Sequence, residues 1–217
     1  MFLNECEVVL VDRMGRDLDI ANAARISRYV ENREPSDKDA ILIDNLAKHG
    51  HSTPFEHVVF KFKISCPMYI ARQIFRHRTF SYNELSRMYT SKDIEFYIEE
   101  NLFENAKSFQ MRNEIPVNQE VVDYYKMTLK MFCKDADRLY QEYLKMGIAN
   151  EYARAILPQN LMTEFVMTGN LRNWMHFIKL RENNYNNIEI VRIANVLLSE
   201  INKYCPIACE ALHKYSI

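Results

Sequence analysis

Apolar and polar positions change period several times along the chain, and each change predicts an element. Residues 6–12 (CEVVLVD) form a short apolar run between polar residues and read as a strand. Residues 17–30 (DLDIANAARISRYV) switch to helical spacing, with Ile20, Ala23, Ala24 and Ser27 on one side. Ser36 followed by Asp39 has the form of a capping box and opens a helix that ends near Gly50. Residues 57–65 (HVVFKFKIS) alternate, setting Val58, Phe60, Phe62 and Ile64 against Val59, Lys61 and Lys63, as a half-buried strand does. Pro67 suits the first turn of a helix through PMYIARQIFRHR. From about Val117 to Met146 a long helix is predicted, with Val121, Tyr125, Leu129, Phe132, Ala136, Leu139 and Tyr143 at three- and four-residue spacing and Gly147 as terminator. Such a helix spans ~45 Å, enough to cross several elements or to meet another subunit. Residues 160–168 (NLMTEFVMT) read as a strand, Asn170 as the cap of a helix to about Arg181, and 187–204 as a final helix. No repeat, low-complexity tract or linker interrupts this order. The expectation is one α+β domain over 1–217, with a mixed or antiparallel sheet flanked by helices, one of them long.

Composition narrows the chemistry. The chain has 217 residues, 48% of them hydrophobic, so a sizeable core can form. A formal net charge of −1 offers no global attraction for nucleic acid or an anionic membrane, so any anion recognition is local. No run approaches the ~18 apolar residues of a membrane helix, and Glu5 and Glu7 stand where a signal peptide needs basic and then apolar residues. A cytoplasmic protein is the expectation. Cys6, Cys66, Cys133, Cys205 and Cys209 are odd in number and scattered, which is no disulfide framework; Cys205 and Cys209, four apart, read as packing on one helix face. Only Gly15, Gly50, Gly147 and Gly169 occur, so neither GxGxxG nor a Walker loop can be written. Phosphates, if any are bound, must be held by side chains.

The distribution of charge points the same way. No aspartate or glutamate lies between Glu56 and Glu84, while that window holds His57, Lys61, Lys63, Arg72, Arg76, His77 and Arg78. One arginine closing a helix is explained by the helix dipole. A cluster without acids repels itself, and an external anion relieves it, since the guanidinium fork matches phosphate oxygens. A second series, Arg154, Arg172 and Arg181, lies in the C-terminal third, with His176 four after Arg172 and Phe165, Val166, Trp174, Phe177 and Ile178 around it. Each such arginine either snorkels or faces a ligand pocket. Two arginine sets without acidic partners suggest several phosphates, as on a mononucleotide plus a dinucleotide.

Taken together, these residues resemble the flavin-dependent thymidylate synthase family. Its signature is Arg-His-Arg, seven residues, then Ser, here Arg76-His77-Arg78, TFSYNEL and Ser86. Supporting segments follow in order: MGRDLDIANAARIS (14–27), HGHSTPFEH (49–57), ARQIFRHR (71–78), EYARAILPQNL (151–161) and GNLRNWMHFIKLR (169–181). The likeness covers nearly all of the chain except 98–116. The resemblance implies reductive methylation of dUMP to dTMP, with methylenetetrahydrofolate as carbon donor, FAD as mediator and NADPH as reductant. No cysteine lies in these segments, which agrees with a flavin route rather than cysteine addition to uracil C6. By the same resemblance, Arg181 is the central catalytic residue, stabilising charge on the uracil edge. Gln73, Arg76, Glu84, Ser86, Arg87, Arg154 and Arg181 are expected to hold dUMP. Thr53, Arg76, His77, Arg78, Glu84, Asn170, Arg172 and His176 are expected to hold FAD, with His51 and Glu56 beside the flavin and the folate path. No metal is expected. The family assembles its sites across a homotetramer, so HSTPFEH and the C-terminal arginines can come from different subunits.

One departure stands out. The family reads Ser-x-Arg-Tyr at the end of its signature, whereas this chain reads Ser86-Arg87-Met88-Tyr89. On a regular strand a one-residue shift turns a side chain to the other face; in a turn the guanidinium still reaches. Arg87 is therefore expected on the dUMP phosphate. Rival readings are a serine hydrolase with Ser86 and His77, a metal-dependent hydrolase using His49, His51 and His57, and an RNA-binding face over 57–80 built on Phe60, Phe62, Tyr69 and Phe80. The first lacks a GxSxG elbow and the second any HExxH spacing. The third would bind with a steep salt slope.

Overall fold

A computed structural model describes residues 1–27, 34–104, 115–183 and 186–215. The first half of the chain runs β1 (Phe2–Leu3), β2 (Glu7–Met14), α1 (Asp17–Ile26), α2 (Lys38–Lys48), a 3-10 turn (Thr53–His57), β3 (Val59–Pro67), α3 (Met68–Ile74), β4 (Ser81–Glu84) and β5 (Phe96–Tyr97). The second half runs α4 (Gln119–Lys145), α5 (Asn150–Ala153), a 3-10 turn (Arg154–Ile156), β6 (Met162–Asn170), α6 (Leu171–Arg181), α7 (Ile188–Asn202) and α8 (Pro206–Tyr215). The fold is α+β, as the hydrophobic pattern predicts. Residues 28–30 of the first predicted helix lie outside the described residues. No described helix is long and apolar enough to cross a membrane.

Two compact units emerge, neither contiguous in sequence. The first comprises Met1–Glu7, Ser65–Arg76 and Glu84–Phe165; the second comprises Val8–Ile64, His77–Asn83 and Val166–Ile217. Most of an antiparallel four-stranded sheet, ordered β2-β3-β6-β4, falls in the second unit. There the alternation of β3 turns Phe60, Phe62 and Ile64 fully inward. Trp174 of α6 meets Phe62 edge-on with ring centroids 5.0 Å apart, and its indole N–H donates to the Gly169 carbonyl at 3.0 Å. Ile190, Ile193, Ala194, Leu197 and Ile201 give α7 a continuous buried stripe. Helix α8 was not predicted. It begins at Pro206, where a missing N–H costs nothing, and the Asp17 carboxylate accepts from the Ile207 and Ala208 amides at 3.0 Å each. Cys205 and Cys209 are buried one turn apart, and burial, helped by the Asp17 charge, pushes the Cys209 thiol up to about 12, so both are core packing.

In the first unit β1 and β5 pair in parallel, Phe2 opposite Phe96. Phe96, Cys133 and Leu161 form a buried cluster, packed by Phe2, Met68, Ile94, Leu129 and Leu157. The long helix matches its predicted span: the Asn118 side chain accepts from the Glu120 amide at 2.9 Å, and Gly147 takes a φ of +84° just past its end. The buried face overlaps the expected one only in part: Leu129 packs against that cluster and Ala136 is buried, as expected. Val122, Cys133, Ala136 and Tyr140 are buried, whereas Val121, Tyr125 and Phe132 are exposed. The row Leu129, Cys133, Ala136 and Tyr140 meets the core, sharing Leu129 and Ala136 with the expected row.

Candidate active site

The signature segment begins where α3 stops. Helical spacing predicts that helix through Arg78, but it ends at Ile74, with Phe75 as C-cap. The following backbone groups find partners outside a helix. In the second unit the Tyr82 hydroxyl donates to the His77 carbonyl at 2.8 Å, and the Asn173 side-chain amide donates to the Thr79 carbonyl at 3.0 Å. Phe80 lies against bare backbone at Gly169, where an added Cβ would stand 2.3 Å from the ring, and 4.7 Å from the Trp174 ring centroid. Three contacts thus hold the turn that carries His77.

His77 is the electrostatic centre of this unit. Its Nε2 accepts a hydrogen bond from Arg181 Nε at 3.0 Å, and its ring meets Phe177 edge-on at 4.7 Å. Burial, then the charges of Arg181 and His176, push its pKa down to about 4. The imidazole is therefore neutral at pH 7 and carries its proton on Nδ1. Arg181 also donates from Nη1 to the Asn186 side-chain oxygen at 3.1 Å. Burial lowers its pKa, yet a guanidinium stays protonated in a protein.

Other expected residues of this unit lie at the surface. Arg78, His176, Thr53 and His51 are exposed. Asn170 uses its side-chain oxygen to accept from the Asn173 amide at 3.0 Å, capping α6 as predicted. Arg172 corrects the expectation of arginines without acidic partners. Its Nη1 lies 2.7 Å from Glu56 Oε1, with side chains 45% and 38% exposed. HSTPFEH and α6 therefore meet within one chain.

In the first unit Arg76 and Arg154 are exposed and Gln73 is half-buried. Arg154 Nε donates to the Glu151 carbonyl at 3.4 Å. Glu84 accepts from the Thr163 hydroxyl at 2.8 Å, and the Ser86 hydroxyl accepts from the Met88 amide at 3.3 Å. Arg87 is turned toward its own loop. It is only 9% exposed, its Nη1 donates to the Lys92 carbonyl, and its Nη2 donates to the Asp93 carbonyl at 3.0 Å. Desolvation lowers its pKa, opposed by the nearby Tyr140, Asp93 and Glu95. Sequence reasoning missed Thr163 and Asn186, and gave Phe80, Gly169 and Asn173 no role in this site. Only Gly169, one of four glycines in the chain, carried a signal of its own.

The rival readings fit poorly. Phe60 and Phe62 are fully buried and present no face for a base to stack on. His49 and His51 have ring centroids 6.4 Å apart, and among the described residues no group of three or more His, Cys, Asp or Glu is disposed to hold a metal.

The profile of the family described as thymidylate synthase complementing protein (Thy1) matches residues 9–207. The chain belongs to this family. Among its Thy1 relatives, the flavin-dependent thymidylate synthase of Thermotoga neapolitana is 37% identical over 209 residues, which is 96% of this chain and 91% of that protein. The Thermus thermophilus protein of the same name is 39% identical over 209 residues, covering 96% of this chain and 76% of the relative. The crystal structure of the UMP/dUMP methylase PolB from Streptomyces cacaoi, bound with 5-Br dUMP, aligns with a TM-score of 0.89 at 27% identity, covering 99% of this chain and 97% of that one. The Thy1 signature and the C-terminal arginine segment both fall inside the matched residues.

Proposed function

We propose that this chain is a single-domain, cytoplasmic enzyme that converts dUMP to dTMP by flavin-dependent reductive methylation. Methylenetetrahydrofolate supplies the carbon and NADPH the reducing equivalents. The observation that carries this reading is the pairing of His77 with Arg181, residues 104 apart in sequence. It joins the signature to the C-terminal arginine segment of a Thy1 chain whose relatives are named flavin-dependent thymidylate synthases.

The chemistry asks for a cation fixed beside the uracil. C5 is a weak nucleophile, and its reaction builds negative charge on the ring oxygens. A guanidinium held in advance stabilises that charge without reorganising during the step. His77 Nε2 and Asn186 Oδ1 hold Arg181 in one orientation. Neutrality of His77 is part of the device, because an imidazolium would repel Arg181 and lose its acceptor. Gln73, Arg76, Glu84, Ser86 and Arg154 would hold the rest of dUMP.

FAD fits the donor set. The chain has no glycine loop for a diphosphate, and Arg78, Arg172 and His176 present cationic or cationisable groups at the surface. With Thr53, Arg76, His77, Glu84 and Asn170 they would hold it, His51 and Glu56 lying beside flavin and folate. Bound flavin supplies the redox chemistry between NADPH and the transferred carbon. A homotetramer is part of the same proposal. The outer face of α4 supports it, with Tyr124 65%, Met131 60% and Phe132 56% exposed, an apolar stripe that a second copy would cover.

The test uses the purified chain. It should bind FAD and turn yellow, oxidise NADPH only when dUMP is present, and form dTMP once methylenetetrahydrofolate is added. Oxidation indifferent to dUMP reduces the protein to a general flavin reductase. Failure to take up flavin overturns the reading.

A further inference from the structure

The segment that follows the signature serine is a closed loop in the first unit. It starts where the Leu85 amide donates to the Glu164 carbonyl at 2.8 Å, and ends where the Glu95 carbonyl accepts from the Met162 amide at 2.8 Å. Between these anchors the Tyr89 and Thr90 amides both donate to the Ser86 carbonyl, at 3.0 and 3.3 Å. The tip is outward, with Met88 42% and Tyr89 82% exposed. Asp93 takes a φ of +52°, the left-handed region that aspartate tolerates better than most residues. Leu85, Arg87, Thr90, Lys92 and Asp93 line a cavity of about 370 Å³. The loop therefore arches beside open space, while Ile94 near its end packs against the Phe96, Cys133 and Leu161 cluster.

Arg87 is the brace across that arch. Its two terminal nitrogens reach consecutive carbonyls, those of Lys92 and Asp93, on the far limb. The planar fork suits such a pair, and a lysine ammonium does not. Among the described residues, Arg87 Nε and the Tyr140 hydroxyl are the buried side-chain polar atoms without a hydrogen-bond partner. Nε is thus buried, and both Nη atoms are engaged by the chain's own carbonyls.

We propose that Arg87 is a positioning residue: it closes the 85–95 loop so that Ser86 is presented to dUMP, and it makes no contact with the dUMP phosphate. This rests on the dUMP reading of the site. It also gives the Ser86-Arg87-Met88-Tyr89 departure a physical meaning, because the arginine beside the serine is used internally.

Two measurements on the full-length protein decide it. The first compares binding of dUMP and of deoxyuridine, which lacks the phosphate, to wild type, Arg87→Met and Arg87→Lys. Losing charge-assisted bonds that order the loop should weaken both ligands by the same factor, about 10-fold or more, with no rescue by lysine. A loss confined to dUMP would make Arg87 a phosphate ligand and overturn the proposal, as would unchanged affinity for both. The second is amide hydrogen exchange over 85–95 in ligand-free protein. Faster exchange in both variants, with the rest of the chain unchanged, supports the brace; unchanged exchange there overturns it. This readout stands apart from the enzymatic reading. A wild type that binds neither ligand would defeat the dUMP assignment while exchange still decided the brace. Arg87→Lys keeps a buried cation and serves where Arg87→Met does not fold.

Discussion

The turn at 77–83 and the loop at 85–95 each meet an arginine engaged by the chain's own atoms, and the acceptors differ in kind. Arg181 donates to an imidazole nitrogen that is an acceptor only while His77 stays neutral. Arg87 donates to two backbone carbonyls, which have no protonation state to change within any ordinary pH range. Both guanidinium groups have their pKa lowered by desolvation. What separates them is surroundings: Arg181 bonds to a ring that meets Phe177 edge-on, with exposed Arg78 and His176 in the same unit, while Arg87 is buried and bonded to its own loop. An arginine near a signature motif is therefore not a ligand by position alone.

That contrast can be broken most sharply at Arg181. Arg181→Ala should lower kcat/KM for dUMP by about 10²–10³-fold, the loss typical of one fixed donor to a developing oxyanion, while bound flavin is retained. Steady-state kinetics with the flavin spectrum as control checks this; a change of a few-fold would give Arg181 the structural role proposed for Arg87. Next in size is Gly169→Ala. Its Cβ would fall 2.3 Å from the Phe80 ring, and such overpacking costs ~1–3 kcal/mol. Thermal or denaturant unfolding should show that loss, and Phe80→Ala in the same chain should relieve part of it, so that the double variant is more stable than the sum of the singles.

A smaller effect is expected from pH. His77 titrates at 6.5 when unfolded and at about 4 when folded, so the unfolded chain takes up the proton first as pH falls. The stability tied to neutral His77 is complete above pH 6.5 and is lost progressively toward pH 4. His77→Gln should flatten that part of the stability profile, whereas Arg87→Lys should leave its slope intact. The smallest effect belongs to the Glu56–Arg172 pair. Both side chains are well exposed, so Glu56→Gln should cost less than about 1 kcal/mol, and less still at high salt. A larger loss in denaturant unfolding would mean that the pair is shielded by assembly.

Much of the fold was legible because it follows from local rules. Strict alternation marks β3, and Asn118 with Gly147 delimits α4. Asn170 caps α6 as predicted. The face of α4 was legible only in part: Leu129 and Ala136 of the expected row pack inward, while Val121, Tyr125 and Phe132, at the same spacing, lie exposed. The end of α3 was missed because hydrogen bonds from Tyr82 and Asn173, set by tertiary placement, replace helical ones. Pairing of Arg172 with Glu56 spans 116 residues and could not be read from an acid-free window.

Residue order sufficed to mark where regular backbone starts and stops, and to bring the Arg-His-Arg segment and the later arginines forward as chemistry. Those inferences need only spacing, capping and charge type, which act over a few residues. Three-dimensional packing chose which way each guanidinium faces and which proton His77 keeps. Direction and protonation depend on burial and on partners as far as 116 positions away, and no local pattern encodes those.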